Sequence, residues 1–251
     1  MCPDASVTWM VVMTITHITV PGRWAEGTGL VLGPALLLAG VLLRLGADDF
    51  FPGQLAAYAA DPGRMVLSYS LYAAGAVLLW PAVTALGRVI GAAHPALARW
   101  GVTLAVLGLF GRVFHAGVSH LAFQLVDALG PDAAQRVVAG TYGAFHVFKA
   151  VNVCIMGGWL VLAVGAFRTR AFGAGPVGVA RCVALALAAG LPLGVLKGSS
   201  DPIALAALAG LAVALVPMGV AVLRTGPAPR WWALALTLAL VPVAFFVGMA
   251  G

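Results

Sequence analysis

Charge is what this chain has least of. Asp, Glu, Lys and Arg make up 9% of its 251 residues, against about 25% in a soluble globular domain. So few charges cannot cover a water-facing surface, which excludes a soluble enzyme, a nucleic-acid-binding domain and a disordered protein. Cysteine is scarce too. Cys2, Cys154 and Cys182 form no CxxC pair, and their odd number provides neither a disulfide framework nor a thiolate metal site. Lysine is almost missing, with 2 Lys beside 12 Arg. No basic segment precedes the apolar residues 7–20, so that stretch does not read as a signal peptide.

What is present is apolar. Residues AVILMFWYC account for 62% of the chain and the mean hydropathy is +1.04. These values define an integral membrane protein. The net charge of +6 and the pI near 9.8 then reflect basic cytoplasmic loops rather than a nucleic-acid partner. The bias toward Arg, Ala, Gly and Val points to a GC-rich bacterial genome, and the expected location is the bacterial plasma membrane.

A spanning helix needs about 20 apolar residues. Seven stretches qualify, about 27–45, 65–91, 98–126, 138–167, 177–197, 202–223 and 231–250. The expected fold is therefore an all-α polytopic bundle of seven transmembrane helices over 27–251, preceded by an interfacial segment, 1–26. Alternation of the spans puts Arg23, Arg88, Arg99, Arg168, Arg170, Arg224 and Arg230 on one side and most aspartates on the other. By the positive-inside rule the arginine side, with the N-terminus, is cytoplasmic and the C-terminus is outside. Two outer connections stand out. In 46–64, Pro-Gly pairs bracket GQLAAYAA, which the spacing predicts as a short interfacial helix. The second is 127–137, and both are long enough to cover a cavity mouth. A weak echo between VLLWPAVTALGR at 77–88 and VALVPMGVAVLR at 213–224 allows a 3+1+3 repeat, an arrangement found in some transporters.

Ionisable groups inside a membrane are costly and usually functional. Here they cluster on the third and fourth spans. Arg112, His115, Ser119 and His120 recur at helical spacing on one, and Tyr142, His146, Lys149 and Asn152 on the next. With a turn near Asp132, residues whose numbers add to about 264 should share a depth, which matches His115 with Lys149 and Arg112 with Asn152. Both polar faces then meet in the outer half of the bilayer. Phe114 and Phe145 lie on the same helices, with Tyr69, Tyr72 and Trp80 on the second span. Aromatic faces attract cations, carbocations included. Asp49 and Asp127, at the outer rim, are the candidate proton donors, and His115 and His146 the candidate acid or base. Arg112, Lys149, Ser119, His120, Tyr142 and Asn152 are the candidate polar contacts to a substrate.

The run QLAAYAADPGRMVLSYSLYAAGAVLLWPAVTALGRVIG resembles a broad group of small bacterial membrane proteins, over about residues 20–170. In size, helix number and a polar pocket beside aromatics, the chain is also similar to noncanonical seven-helix membrane terpene cyclases, which act on prenylated substrates. That resemblance implies a protonation-initiated cyclisation of a lipophilic isoprenoid, with no cofactor or metal, and with membrane lipid and a prenylated small molecule as partners. The fungal cyclases carry acidic residues within their helices, where none is expected here, so no catalytic residue is carried over from them. Two other readings compete. One is a small-solute transporter, with Pro34, Pro81, Pro192 and Pro217 letting helices rock. The other is a haem- or quinone-binding redox protein built on His115 and His146.

Overall fold

A computed structural model describes residues 22–47, 51–141, 146–191, 201–225 and 227–250. These residues form helices and no strand: α1 (Arg23–Leu43), α2 (Phe51–Ala60), α3 (Pro62–Gly91), α4 (Pro95–Leu129), α5 (Pro131–Thr141), α6 (Val147–Thr169), α7 (Pro176–Leu187), α8 (Pro202–Arg224) and α9 (Trp231–Ala250). A single 3-10 turn, Ala188–Gly190, continues α7. Proline opens α3, α4, α5, α7 and α8, where a missing N–H costs nothing and the fixed φ already suits a helix. Asp61 caps α3, its Oδ1 accepting from the Arg64 N–H at 3.0 Å.

Six helices, α1, α3, α4, α6, α8 and α9, are long and apolar enough to cross a membrane, the architecture of a multi-pass membrane protein. The expected span 177–197 begins as α7, which with its 3-10 turn is a shorter apolar helix ending at Gly190. Residues 192–197 of that span lie outside the described residues, as do 1–21 of the N-terminal segment.

Three boundaries differ from the sequence expectation. α1 starts at Arg23 rather than at 27, which draws Glu26 into the helix. The 127–137 connection is not a loop: α4 runs to Leu129, Gly130 turns at φ 79, and α5 begins at Pro131. The expected uninterrupted helix 138–167 is two helices. α5 ends at Thr141, and α6 begins at Val147 after an extended His146 (φ −146, ψ 153). Hydropathy alone runs straight through this break, because no Asp, Glu, Lys or Arg stands between Thr141 and Val147.

α1 is sandwiched between α3 and α8, α4 between α3 and α6, and α7 packs on α6 and α8. Small residues let these helices approach closely. A Cβ on Gly108 of α4 would lie 2.5 Å from the backbone N of Ile155, and one on Gly158 of α6 would lie 2.4 Å from the N of Ala105. In both pairs the residue numbers add to 263, so α4 and α6 are antiparallel in nearly the register expected from the sequence. Leu30, Leu79, Leu86, Ile155, Trp159 and Leu208, all fully buried, lie in the main core that links these helices.

α4 has 35 residues and α3 has 30, about 52 and 45 Å at 1.5 Å per residue, well beyond a hydrocarbon core of about 30 Å. At one end the surplus is covered. Leu55 and Tyr58 of α2 and Ala134 and Val138 of α5 pack on Met65, Tyr69, Phe123 and Val126 in a second core. The expected short helix GQLAAYAA is therefore present, within α2, and it caps this end of the bundle. At the other extreme is α9: no residue of its apolar stretch is buried.

Candidate functional site

The polar face of α4 meets the start of α6, as the sequence leads one to expect. The His115 and His146 rings lie 5.8 Å apart. Phe114 is set against both, at 5.7 and 5.3 Å, and stacks on Phe148 at 4.1 Å. His115 is within electrostatic reach of Arg112, His146 and Lys149. Arg112, at 4% exposure, is the most deeply buried of the four, and Lys149 stands half-buried in the first turn of α6.

Arg44, just beyond α1, packs over the ring of Tyr69 on α3, and Tyr69 in turn meets the ring of His120 on α4. The end of α1 is thus level with His120. By the α4–α6 register, Val147 is level with Ala116, so α6 starts about 6 Å along α4 from His120, roughly one helical turn. The first turn of α6 holds no acidic residue. It places Lys149 at the positive end of the helix dipole, where a cation is unfavourable by about 0.3–1 kcal/mol and an anion is favoured. Arg112, Lys149, two imidazoles and the α6 N-terminus therefore lie near one another, and their electrostatics suit an anionic or electron-rich group.

The other expected site residues divide between two further places. His120, Tyr69 and Tyr72 belong to a separate group around Arg44. Its guanidinium lies 4.6 Å from the Tyr69 ring centroid and 5.1 Å from that of Tyr72, and Nη1 donates to Ser68 Oγ at 3.4 Å. Ser68 Oγ donates in turn to the Gly40 carbonyl at 2.6 Å. A resident cation, Arg44, thus lies over one face of each of these rings. His120 also turns from the His115 side toward Tyr69 and Phe123, because residues 115 and 120 fall on different helical faces. Ser119 Oγ donates to the His115 carbonyl one turn back, at 3.1 Å. Trp80 is 45% exposed on the outside of α3, away from any pocket.

Asp127 is exposed near the end of α4, where its Oδ2 accepts a hydrogen bond from the Tyr58 hydroxyl at 2.6 Å. That bond, with burial and the nearby carboxylate charge, holds the Tyr58 phenol above its ordinary value of 10.0. Twelve residues, about 18 Å along α4, separate Asp127 from His115, so the structure removes it from the polar cluster. Asp49, Tyr142 and Phe145 lie outside the described residues, as does the side chain of Asn152.

Sequence reasoning missed Glu26 and Arg44. Glu26 is 1% exposed and pairs with both terminal nitrogens of Arg88, tying α1 to α3 at the arginine-rich end. The signal was available: Glu26 is the one glutamate in the chain, and it directly precedes the apolar run that starts at 27. Among the described residues no three His, Cys, Asp or Glu side chains gather to hold a metal ion.

Fold and site together define a multi-pass helical membrane protein in which a buried arginine, a half-buried lysine and two half-buried histidines meet at the start of α6. In comparison with known proteins, the chain matches no family model, no curated protein and no solved structure.

Proposed function

We propose that the α4–α6 cluster is an intramembrane site for the anionic or electron-rich head of a lipophilic molecule, and that the protein is an enzyme acting on that molecule. The observation that carries this reading is the meeting of the α6 start with the polar face of α4. It brings a helix N-terminus, His146 and Lys149 to Arg112 and His115. Arg112 and Lys149 bind and orient the head. His115 and His146, whose rings are near neighbours, move a proton to or from it, a role worth typically 10²–10⁴-fold in rate. The substrate's tail lies along the apolar face that Phe114 and Phe148 continue.

Cyclisation of a prenylated isoprenoid remains the concrete reaction put forward, in a bacterial plasma membrane with the arginine-rich end cytoplasmic. The cluster restricts how it runs. A carbocation beside Arg112 and Lys149 is repelled, so positive charge develops along the tail and not at the head. The initiating acid is not Asp127, which is engaged with Tyr58. Asp49 is the carboxyl donor retained in the proposal. The 3+1+3 arrangement and a seventh span through α7 belong to this proposal as well.

The test is an assay of membranes containing the full chain with linear prenylated substrates, scored for isomers of unchanged mass. His115→Ala and His146→Ala are each expected to lower turnover at least 10²-fold with insertion intact. Arg112→Gln is expected to raise KM. Near-native turnover in the His115→Ala/His146→Ala double variant refutes the acid–base assignment. Near-native KM in Arg112→Gln refutes the head-group assignment.

A further inference from the structure

A second site lies at the opposite end of the bundle and does not depend on the reading above. Between the end of α6 and the start of α7 is a cavity of about 490 Å³ lined by Phe167, Arg168, Arg170, Val179 and Cys182, with Gly173–Gly175 at its rim. No carboxylate lines it. It is polar at one end and apolar at the other. Arg168, Arg170 and Gly173–Gly175 are exposed at its mouth, whereas Cys182 is buried about 9 Å deeper along α7, six residues at 1.5 Å each. Phe167 and Val179, both largely exposed apolar side chains, border it on the side that lipid would touch.

Arg170 is the more telling of the two arginines. It ends α6 in the left-handed conformation, φ 54, and is the sole non-glycine residue with positive φ among the described residues. Glycine is the residue this position favours, and two glycines follow nearby at Gly173 and Gly175. The chain keeps a guanidinium there in spite of the backbone cost. α7 begins at the same rim with Pro176 and no side-chain cap, and the Val179 N–H donates to the Gly175 carbonyl at 3.2 Å.

We propose that this recess is a binding site for an anionic phospholipid. Arg168 and Arg170 hold the phosphate at the membrane surface, and the first acyl carbons descend past Val179 toward Cys182. Charge complementarity selects the head, and the apolar inner end selects a lipid over a free ion.

The test is native mass spectrometry of the purified full chain in nonionic detergent, titrated with phosphatidylglycerol or phosphatidylcholine. Phosphatidylglycerol is expected to be retained in preference. Arg168→Ala/Arg170→Gly removes both charges and gives position 170 the residue its backbone favours. This variant is expected to weaken retention about thirtyfold, the attraction of two basic side chains to an anionic head. Arg224→Ala/Arg230→Ala removes the same charge from the same end of the bundle and is expected to leave retention unchanged. Val179→Trp fills the recess with both arginines in place and is expected to displace the lipid. Equal loss in the two arginine pairs, or full retention in Val179→Trp, reduces the effect to general surface charge and overturns the site. Displacement of the lipid by millimolar inorganic phosphate overturns the choice of occupant, and equal retention of the two lipids overturns the proposal outright.

Discussion

Replacing Gly108 by alanine tests the packing on which the polar cluster depends. The added Cβ would sit 2.3 Å from Ile155 Cβ, 2.5 Å from its N and 2.6 Å from its Cα. Ordinary contact starts at 3.4 Å, and two of the three atoms are backbone that no rotamer change can move. α6 must therefore retreat from α4 by about 1 Å at this level. Overpacking of this kind costs about 1–3 kcal/mol, which for a chain of this size lowers Tm by about 3–9 °C. Arg112 and His115 follow Gly108 by one and two turns, so the retreat also separates His115 from His146 and should reduce any activity at that pair. Gly117, two and a half turns further along the same helix, is the control: a Cβ there meets nothing within 4 Å. Gly117→Ala should be neutral or stabilising by up to about 1 kcal/mol, from helix propensity alone. Thermal unfolding in detergent, followed by the fluorescence of the protein's tryptophans, reads both variants; Trp159, fully buried in the main core, should move to a wetter environment as α4 and α6 part. If Gly108→Ala unfolds with wild type, or Gly117→Ala is the less stable of the two, the close approach of α4 and α6 is not what holds the site.

Three other outcomes are expected. Glu26→Gln removes the partner of Arg88 and should cost about 1–3 kcal/mol, less than the 3–5 typical of a fully buried pair because the Arg88 side chain is 45% exposed; the double variant Glu26→Gln/Arg88→Gln should recover part of that loss, and a neutral single variant would show that the pair is not structural. Tyr58 has a raised pKa in the folded state, so its bond to Asp127 stabilises the α2 cap fully below the unfolded value of 10.0 and loses that contribution as pH climbs through the folded value. Proteolysis within 51–60 should therefore accelerate at alkaline pH in the wild type, and Tyr58→Phe should accelerate it at neutral pH as well; an unaltered neutral rate in the variant counts against the bond. Arg44→Gln removes two ring contacts worth about 0.5–2 kcal/mol each and should lower Tm, with Arg44→Lys recovering part of the loss. Equal stability of Arg44→Gln and wild type would show that the tyrosine faces do not depend on Arg44.

Composition and periodicity settle the class of this protein. With so few charges the chain has to be solvated by lipid, and a backbone in lipid has to satisfy its hydrogen bonds within helices. The turn near Asp132 also anticipated the register of α4 on α6 to within a residue, since the paired residue numbers add to 263 against the expected 264. Tertiary structure decided the rest. Hydropathy cannot see that α5 ends at Thr141 and that His146 is extended before α6, since no Asp, Glu, Lys or Arg stands between Thr141 and Val147. Spacing placed His120, Tyr69 and Tyr72 beside the cluster, but a face is chosen by the neighbour that covers it, and Arg44 covers those rings. Asp127 was near in sequence to the histidines, yet three helical turns carry it to the far rim, where Tyr58 on a helix remote in sequence supplies its partner. Glu26 and Arg88 are 62 residues apart, and nothing local to either announces the pair; it exists because α1 and α3 lie side by side.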